Sequence, residues 1–367
     1  MNQKKLIIFM PSIEVGGVEK NLFIISNYLS EKLQKVSLIT ISKKYKNKFH
    51  SKMKIICPKN NTWNSTPKRI KFFVCLYLLF TEILKNKNVT VLCFQGNIYC
   101  TILCKLLKIK IIVRSNSSPS GWSQNFIKKI LYKKILNFAN KIVVNSIEFK
   151  KELKKKFNLN STCIYNPLNA KKIKELSKIK IENNFFKRNF INIINIGRFT
   201  DQKDHLTLLK SINLLKNKIK IKLLIIGGGV NKSKILRYIK LKKLSRTVKV
   251  KNFTNNPYPF IKAADLFILT SKFEGLPNVL LEAITLNKFI ISSNCPTGPK
   301  EILINNKGGL LFRVGDYVDL SKKILFFKNN KKTCEKKLLY AKSKLYRFDE
   351  NINLNNYLKL VKSTLTI

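Results

Sequence analysis

An α/β protein of two doubly wound, parallel-sheet domains is what the sequence predicts, and three observations predict it. Short apolar runs of strand length alternate with longer stretches of helical spacing, the signature of βαβ units. The alternation runs twice, on either side of a polar interruption rich in lysine and asparagine. At 367 residues, 45% of them apolar, the chain exceeds one ordinary domain and suits two of about 150–180 residues each.

In order, the first half offers strands over Lys5–Met10, Lys35–Ile41, Val89–Phe94, Ile109–Arg114 and Lys141–Asn145. Helical spacing lies between them at Glu19–Leu33, Arg69–Lys85 and Phe126–Asn137. The second half repeats the scheme with strands at Phe190–Ile196, Ile221–Gly227, Thr247–Lys251, Leu266–Thr270 and Phe289–Ser292. Its helices are expected at Asp204–Lys216, Asn231–Leu244, Pro277–Asn287 and Asp316–Lys328. The spacing therefore assigns residues 1–167 to an N-terminal Rossmann-like domain, 168–189 to a linker and 190–340 to a second Rossmann-like domain. Residues 341–367 keep helical spacing with no strand after them, and are expected to cross back onto the first domain.

Charge is lopsided: 72 Lys and Arg against 19 Asp and Glu give a formal net charge of +53. Such a surface is drawn to anions, whether nucleic acid or acidic lipid. The lysines are spread through both halves rather than gathered in one stripe interleaved with aromatics, which argues against a nucleic-acid partner. Compositional drift, with Lys, Asn and Ile abundant everywhere, also accounts for them. The eight cysteines form no C-x-x-C pair, and most sit inside apolar runs, as buried thiols of a reducing compartment do. With two histidines, His50 and His205, neither near a cysteine cluster in sequence, a metal site is not expected. The apolar run Leu6–Met10 is too short for a signal-peptide core, and Phe72–Thr81 is half a membrane span. A cytoplasmic protein is expected, at most lying on the inner face of the cytoplasmic membrane.

The chemistry concentrates at Phe273-Glu274-Gly275-Leu276-Pro277-Asn278-Val279-Leu280-Leu281-Glu282-Ala283. This string follows a strand and opens a helix. Pro277 suits a first helical turn, and the N–H groups of Gly275, Leu276 and Asn278 are then directed off the helix end, where phosphate is favoured. Glu274 and Glu282 bracket the site about 12 Å apart along the helix, the span of a diphosphate with a sugar on one side and a ribose on the other. Carboxylates accept hydrogen bonds from paired hydroxyls.

These residues resemble the family 4 glycosyltransferases of the GT-B fold. The E-G-x-x-x-x-x-L-E-A string follows an Ala264-Asp265-Leu266-Phe267 strand and Thr270-Ser271, as it does in that family. Gly197-Arg198-Phe199-x-x-Gln202-Lys203 resembles the family's donor-phosphate loop, and Gly16-Gly17-Val18-Glu19 its N-terminal glycine loop. Asn294-Cys295-Pro296-Thr297-Gly298-Pro299-Lys300-Glu301-Ile302 resembles its G-P-x-E-I segment. The likeness runs from about Ile191 to Asp319 and is weak in the first half.

The resemblance implies two Rossmann-like domains facing across a cleft, the first reading the acceptor and the second holding a nucleotide diphosphate sugar. Arg198 and Lys203 would hold the diphosphate, Glu274 the hydroxyls of the transferred sugar and Glu282 the ribose. Gly16, Gly17, Gly197, Gly275, Leu276 and Asn278 would complete the donor site. Charge growing on a departing diphosphate is the largest stabilisation such a site has to provide. Gly227-Gly228-Gly229 lacks the G-x-G-x-x-G spacing of a dinucleotide site and reads as a turn.

Many family members place a histidine in the first domain near the sugar. The matching stretch here, Arg114-Ser115-Asn116-Ser117-Ser118-Pro119, has none, and Asn116 or Ser117 would donate hydrogen bonds without acting as a base. That fits a front-face retaining mechanism, in which the departing phosphate oxygen takes the acceptor's proton. The six aspartates form no D-x-D, the pair a metal-dependent enzyme uses, so neither a metal nor another cofactor is expected.

Phe126–Asn140 interleaves apolar residues with Lys128, Lys129, Lys133 and Lys134, the pattern of a helix at an anionic membrane or of a core helix with a basic outer side. With Phe72–Thr81 it favours a lipid-linked glycan acceptor, and the resemblance suggests surface polysaccharide biosynthesis with a UDP-sugar. A nucleotide-sugar epimerase or hydrolase on the same fold is the alternative reading, weakened by the shortage of acid–base groups.

Overall fold

A computed structural model of the protein describes residues 4–14, 16–116, 126–181 and 185–366. The chain forms two compact units: residues 1–167 with 350–367, and residues 168–349.

Unit 1 is built on a parallel sheet of β1 (Lys5–Phe9), β2 (Val36–Ile39), β3 (Lys54–Ile56), β4 (Val89–Cys93), β5 (Lys110–Arg114), β6 (Lys141–Val144) and β7 (Thr162–Cys163). Its order is β3-β2-β1-β4-β5-β6-β7, with Ile7 of β1 level with Ser37 of β2 and Val91 of β4. Helices α1 (Gly17–Lys32), α2 (Lys68–Lys85), α3 (Asn97–Leu106), α4 (Phe126–Leu136) and α5 (Ile147–Phe157) connect the strands. Because side chains alternate along a strand, β1 feeds two cores. Ile7 and Phe9 meet Cys75 and Leu79 of α2, Cys100 and Cys104 of α3, and Phe149 of α5. Leu6 and Ile8 meet Leu22 and Ile25 of α1 on the other face. Burial on both faces is why the central strands read as unbroken apolar runs. Ser146 starts α5, its side chain accepting from Phe149 N at 3.1 Å.

Unit 2 begins earlier than the expected linker end. Residues Ala170–Leu176 form α6, capped by the Asn169 side chain, and Asn256 Nδ2 donates to Leu176 O at 3.0 Å. A second parallel sheet follows, of β8 (Ile191–Ile196), β9 (Ile221–Gly227), β10 (Val248–Asn252), β11 (Leu266–Leu269), β12 (Phe289–Ser293) and β13 (Leu310–Phe312), in the order β10-β9-β8-β11-β12-β13. The helices are α7 (His205–Leu215), α8 (Lys232–Leu241), α9 (Tyr258–Ala263), α10 (Asn278–Thr285), α11 (Pro299–Ile302), α12 (Tyr317–Asn329) and α13 (Lys331–Ser343).

The segment expected to run as one tail from residue 341 is divided. Ala341 and Phe348 are buried in unit 2, and only α14 (Glu350–Thr366) belongs to unit 1. There its Leu354, Tyr357 and Val361 join the α1 side of the core. Among the described residues, no helix is long and apolar enough to cross a membrane.

Candidate active site

The strand order of unit 2 reverses between β8 and β11. At such a point the connections leave on opposite faces of the sheet, and a crevice opens beyond the carboxyl ends of the strands. The loops that follow β8 and β11 carry Arg198, Lys203 and Glu274.

The first loop rests on the turn after β9. Gly197 N donates to Ile226 O (3.1 Å), Phe199 N to Gly228 O (2.7 Å) and Asn231 N to Phe199 O (2.9 Å). The approach is so close that a Cβ at Gly227 would lie 2.0 Å from Gly197 O, and one at Gly229 (φ +142°) 2.7 Å from Phe199 O. Those two glycines, read from sequence as a plain turn, are thus demanded by the backing of the loop. Phe199 fills the space beneath it, fully buried, with the His205 ring packed edge-on at 5.1 Å. Burial, helped by the Lys203 ammonium, pushes the pKa of His205 down to about 4, so near neutrality it is an uncharged packing group at the start of α7. Asp204 caps that helix from a left-handed backbone (φ 44°), accepting from Thr207 Oγ1 at 2.7 Å.

Side chains and backbone tie the two loops together. Gln202 Nε2 donates to Phe273 O (2.9 Å), Lys272 N to Gln202 O (2.8 Å) and Thr270 Oγ1 to Lys203 O (2.8 Å). Lys203 folds its stem within 3.4 Å of where a Cβ on Gly197 would stand, and its Nζ meets Glu274 Oε1 at 2.5 Å. The loop after β12 closes the site from a third side: Thr297 Oγ1 donates to Glu274 O at 2.7 Å. Gly298 (φ +86°) packs so tightly that a Cβ there would lie 2.3 Å from Gly275 O. Cys295 beside it is buried, and burial with the Glu274 carboxylate pushes its thiol up to about 12, leaving it protonated and inert.

Helix α10 opens from the loop after β11, one residue later than expected. Pro277 keeps an extended ψ of 102° and stands as the cap, with Asn278 the first helical residue. Gly275, Leu276 and Glu282 are buried and Asn278 half-buried. Arg198 is exposed at the rim.

Of the expected site residues, then, Arg198, Lys203, Gly197, Glu274, Gly275, Leu276, Asn278 and Glu282 all stand on unit 2, on the loops after β8 and β11 and on α10. Gly16 and Gly17 begin α1 of unit 1. Asn116 follows β5, its Nδ2 donating to Phe94 O at 2.9 Å and its buried Oδ1 without a hydrogen-bond partner among the described residues. Ser117 lies outside the described residues. Thr270 and Thr297 stood inside the family-like strings and Gly227 and Gly229 were read as a turn, but their roles in tying and backing the loops exist only through contacts across loops. Gly298 had a signal within the G-P-x-E-I string. Among the described residues, no group of three or more His, Cys, Asp or Glu side chains could hold a metal ion.

Residues 177–344 match the family model described as glycosyl transferases group 1. An uncharacterized glycosyltransferase of Methanocaldococcus jannaschii is 35% identical over 217 residues, covering 55% of this chain and 53% of its own. The GalNAc-alpha-(1->4)-GalNAc-alpha-(1->3)-diNAcBac-PP-undecaprenol alpha-1,4-N-acetyl-D-galactosaminyltransferase of Campylobacter jejuni is 24% identical over 97% of this chain and 98% of its own. The chain spans 53% to 62% of the length of the first three curated relatives it matches. The crystal structure of Anabaena Alr3699/HepE in complex with UDP superposes with a TM-score of 0.78 at 15% identity, over 98% of this chain and all of that one. That likeness shows the fold: two parallel-sheet α/β domains of the GT-B type.

Proposed function

We propose that this chain, whose residues 177–344 belong to the group 1 glycosyl transferases, moves a hexose or N-acetylhexosamine from a UDP-sugar to a glycan or lipid-linked glycan in surface polysaccharide biosynthesis, with retention and without a metal. The observation that carries the reading is the Lys203–Glu274 pair, 2.5 Å apart at the sheet's switch point. It sets a cation for a diphosphate and a carboxylate for sugar hydroxyls side by side. The Campylobacter relative's name, an N-acetylgalactosaminyltransferase acting on an undecaprenol-linked glycan, supports the acceptor class. The UDP in the Anabaena structure supports the nucleotide.

In the proposed reaction, Arg198, Lys203 and the backbone N–H groups at the start of α10 hold the diphosphate. Lys203 turns from Glu274 to the phosphate, and Glu274 accepts hydrogen bonds from the sugar's hydroxyls. Glu282 accepts from the ribose. The acceptor oxygen bonds to the anomeric carbon on the face the diphosphate leaves, the carbon–phosphate-oxygen bond breaks, and the proton passes to the departing oxygen. The cations offset the charge that grows there, in a site preorganised by the loop-to-loop bonds. By the family resemblance, Asn116 and Ser117 would serve the sugar and acceptor side and Gly16 and Gly17 the donor.

The test is thermal shift with UDP, GDP, ADP and NAD, each in EDTA and in magnesium. A ligand held only by the folded state raises the midpoint with occupancy. Stabilisation by UDP in EDTA, lost in Glu282→Ala and Arg198→Ala, is expected, followed by product formation with UDP-N-acetylhexosamine and a lipid-linked acceptor. GDP or ADP selectivity would change the donor. A folded protein indifferent to all four would sink the reading, and sugar interconversion without acceptor would favour an epimerase.

A further inference from the structure

We infer that the outer side of α2, α3 and α4 in unit 1 is a docking face for the surface of an anionic lipid bilayer. Surface helices ordinarily turn charged and polar residues outward. These three do not. Between Lys71 and Glu82, α2 has no charged residue, yet Phe73 and Tyr77, one turn apart, are 63% and 66% exposed. On α3 Leu106 is 74% exposed with Tyr99 and Ile102 also open, and on α4 Ile127 is 75% exposed with Leu131 beside it.

The exposed groups form one surface. Buried Cys75 and Leu79 of α2, Cys100 and Cys104 of α3 and Leu136 of α4 share a single core cluster with Ile7 and Val91 of the sheet. The three helices therefore cover the same face of the sheet and turn their outer sides the same way. Phe73 and Tyr99 bridge α2 and α3 with ring centroids 6.1 Å apart. Lys105 Nζ of α3 lies 5.1 Å from the ring of Phe138, just past α4.

Charge selects the occupant. No aspartate or glutamate occurs between Glu82 and Glu148. Glu82 is buried and paired with Lys5 at 2.9 Å and Lys85 at 3.1 Å. Arg69, Lys105, Lys133 and Lys134 stand exposed among the apolar side chains. The core of a protein–protein interface is depleted of lysine. An interfacial membrane surface wants this mixture: rings and aliphatic chains enter the headgroup boundary while lysines reach acidic phosphates. With α2 too short and too interrupted to span, the protein would lie on the bilayer.

The test is co-sedimentation of the full chain with vesicles of phosphatidylglycerol mixed with phosphatidylcholine, against phosphatidylcholine alone, with no donor or acceptor present. Binding to the acidic vesicles that weakens with salt is expected. K105Q/K133Q/K134Q should lower the partition constant about a hundred-fold, roughly five-fold for each charge. F73S/Y77S/I127S/L131S should also abolish the salt-resistant part. The matched control K332Q/K336Q/K342Q, on α13 of unit 2, should change it less than about three-fold. Failure of the wild type to sediment overturns the inference. So does an equal loss in the control, which would assign binding to diffuse charge. An apolar variant that converts a dimer to a monomer while vesicle binding persists would assign the face to a second copy instead. The UDP thermal shift, measured on every variant, reports folding and the donor site separately, so either reading can fail alone.

Discussion

Both sheets reverse their strand order in the middle, between β1 and β4 in unit 1 and between β8 and β11 in unit 2, yet the two crevices are furnished differently. At the ends of β1, β4 and β5, neutral amides do the bonding: Gln95 Oε1 accepts from Ser12 N (2.9 Å), and Asn97 Nδ2 donates to Arg114 O (3.2 Å). The charge near them, Arg114, is buried and turned to its own unit. Its Nε donates to Tyr357 Oη and its Nη2 to Asn166 Oδ1, both at 2.8 Å, over the Phe94 ring. In unit 2 the corresponding position holds a lysine–glutamate pair and a rim arginine. One topology makes two crevices, and among the described residues named above only the unit 2 crevice carries a lysine–glutamate pair and an exposed arginine. Fold settles where a site is; residues settle what it takes.

The sharpest way to break that contrast is kinetic. Lys203→Ala or Arg198→Ala should cut the transfer rate about 10²- to 10³-fold, whereas Asn116→Ala should cost roughly ten-fold through one neutral hydrogen bond. Equal losses, measured as kcat with a UDP-sugar and acceptor, would mean the two crevices share the charge chemistry.

Next in size is Arg114→Met. Removing a buried guanidinium and its two charge-assisted bonds should cost unit 1 about 4 kcal/mol, and Tyr357→Phe about 1.5 kcal/mol. Urea denaturation would read both. A wild-type midpoint in Arg114→Met would show that the guanidinium does not anchor α14.

Unit 2 should answer to acid through His205. Its folded pKa of about 4 lies below the unfolded value near 6.5, so the folded state favours the neutral ring. The stability this adds is complete above about pH 6.5 and is lost as pH falls toward 4, because the unfolded chain binds the extra proton. Across that window about 3 kcal/mol should disappear. His205→Leu should flatten that part of the pH profile of the melting temperature; an unchanged slope would place the titration elsewhere.

The smallest effect should be equal in the two units. Ser146→Ala in unit 1 and Asp316→Ala in unit 2 each remove a side-chain cap, on α5 and α12, and should cost about 1 kcal/mol. A much larger loss at either would mean the cap also supports a tertiary contact.

Much of the molecule was legible because its signals are local. The long central strands are runs of isoleucine, leucine and valine buried on both faces, and α10 is announced by Gly275, Pro277 and the apolar residues after it. The edge strands β3, β7 and β13 span three, two and three residues, too few to show a period. Helices α6 and α9, seven and six residues long, hold through neighbours rather than through a periodic stripe. Gly227 and Gly229 read only as part of a turn for a related reason: the need for small residues there comes from Gly197 and Phe199, thirty positions earlier.

By itself the sequence determined the fold class, the succession of strands and helices, and the string of loop residues that resembles a donor site. Those depend on side-chain periodicity and turn chemistry within windows of ten or twenty residues. Tertiary structure alone decided that Lys203 pairs with Glu274 across 71 positions and Arg114 with Tyr357 across 243. It also decided that the tail divides at residue 349, with Ala341 and Phe348 kept in unit 2, and that three helices pool their apolar outer sides into one face. Such pairings follow from which strands neighbour one another in the sheets. That order is a property of the whole chain's topology, and no local window contains it.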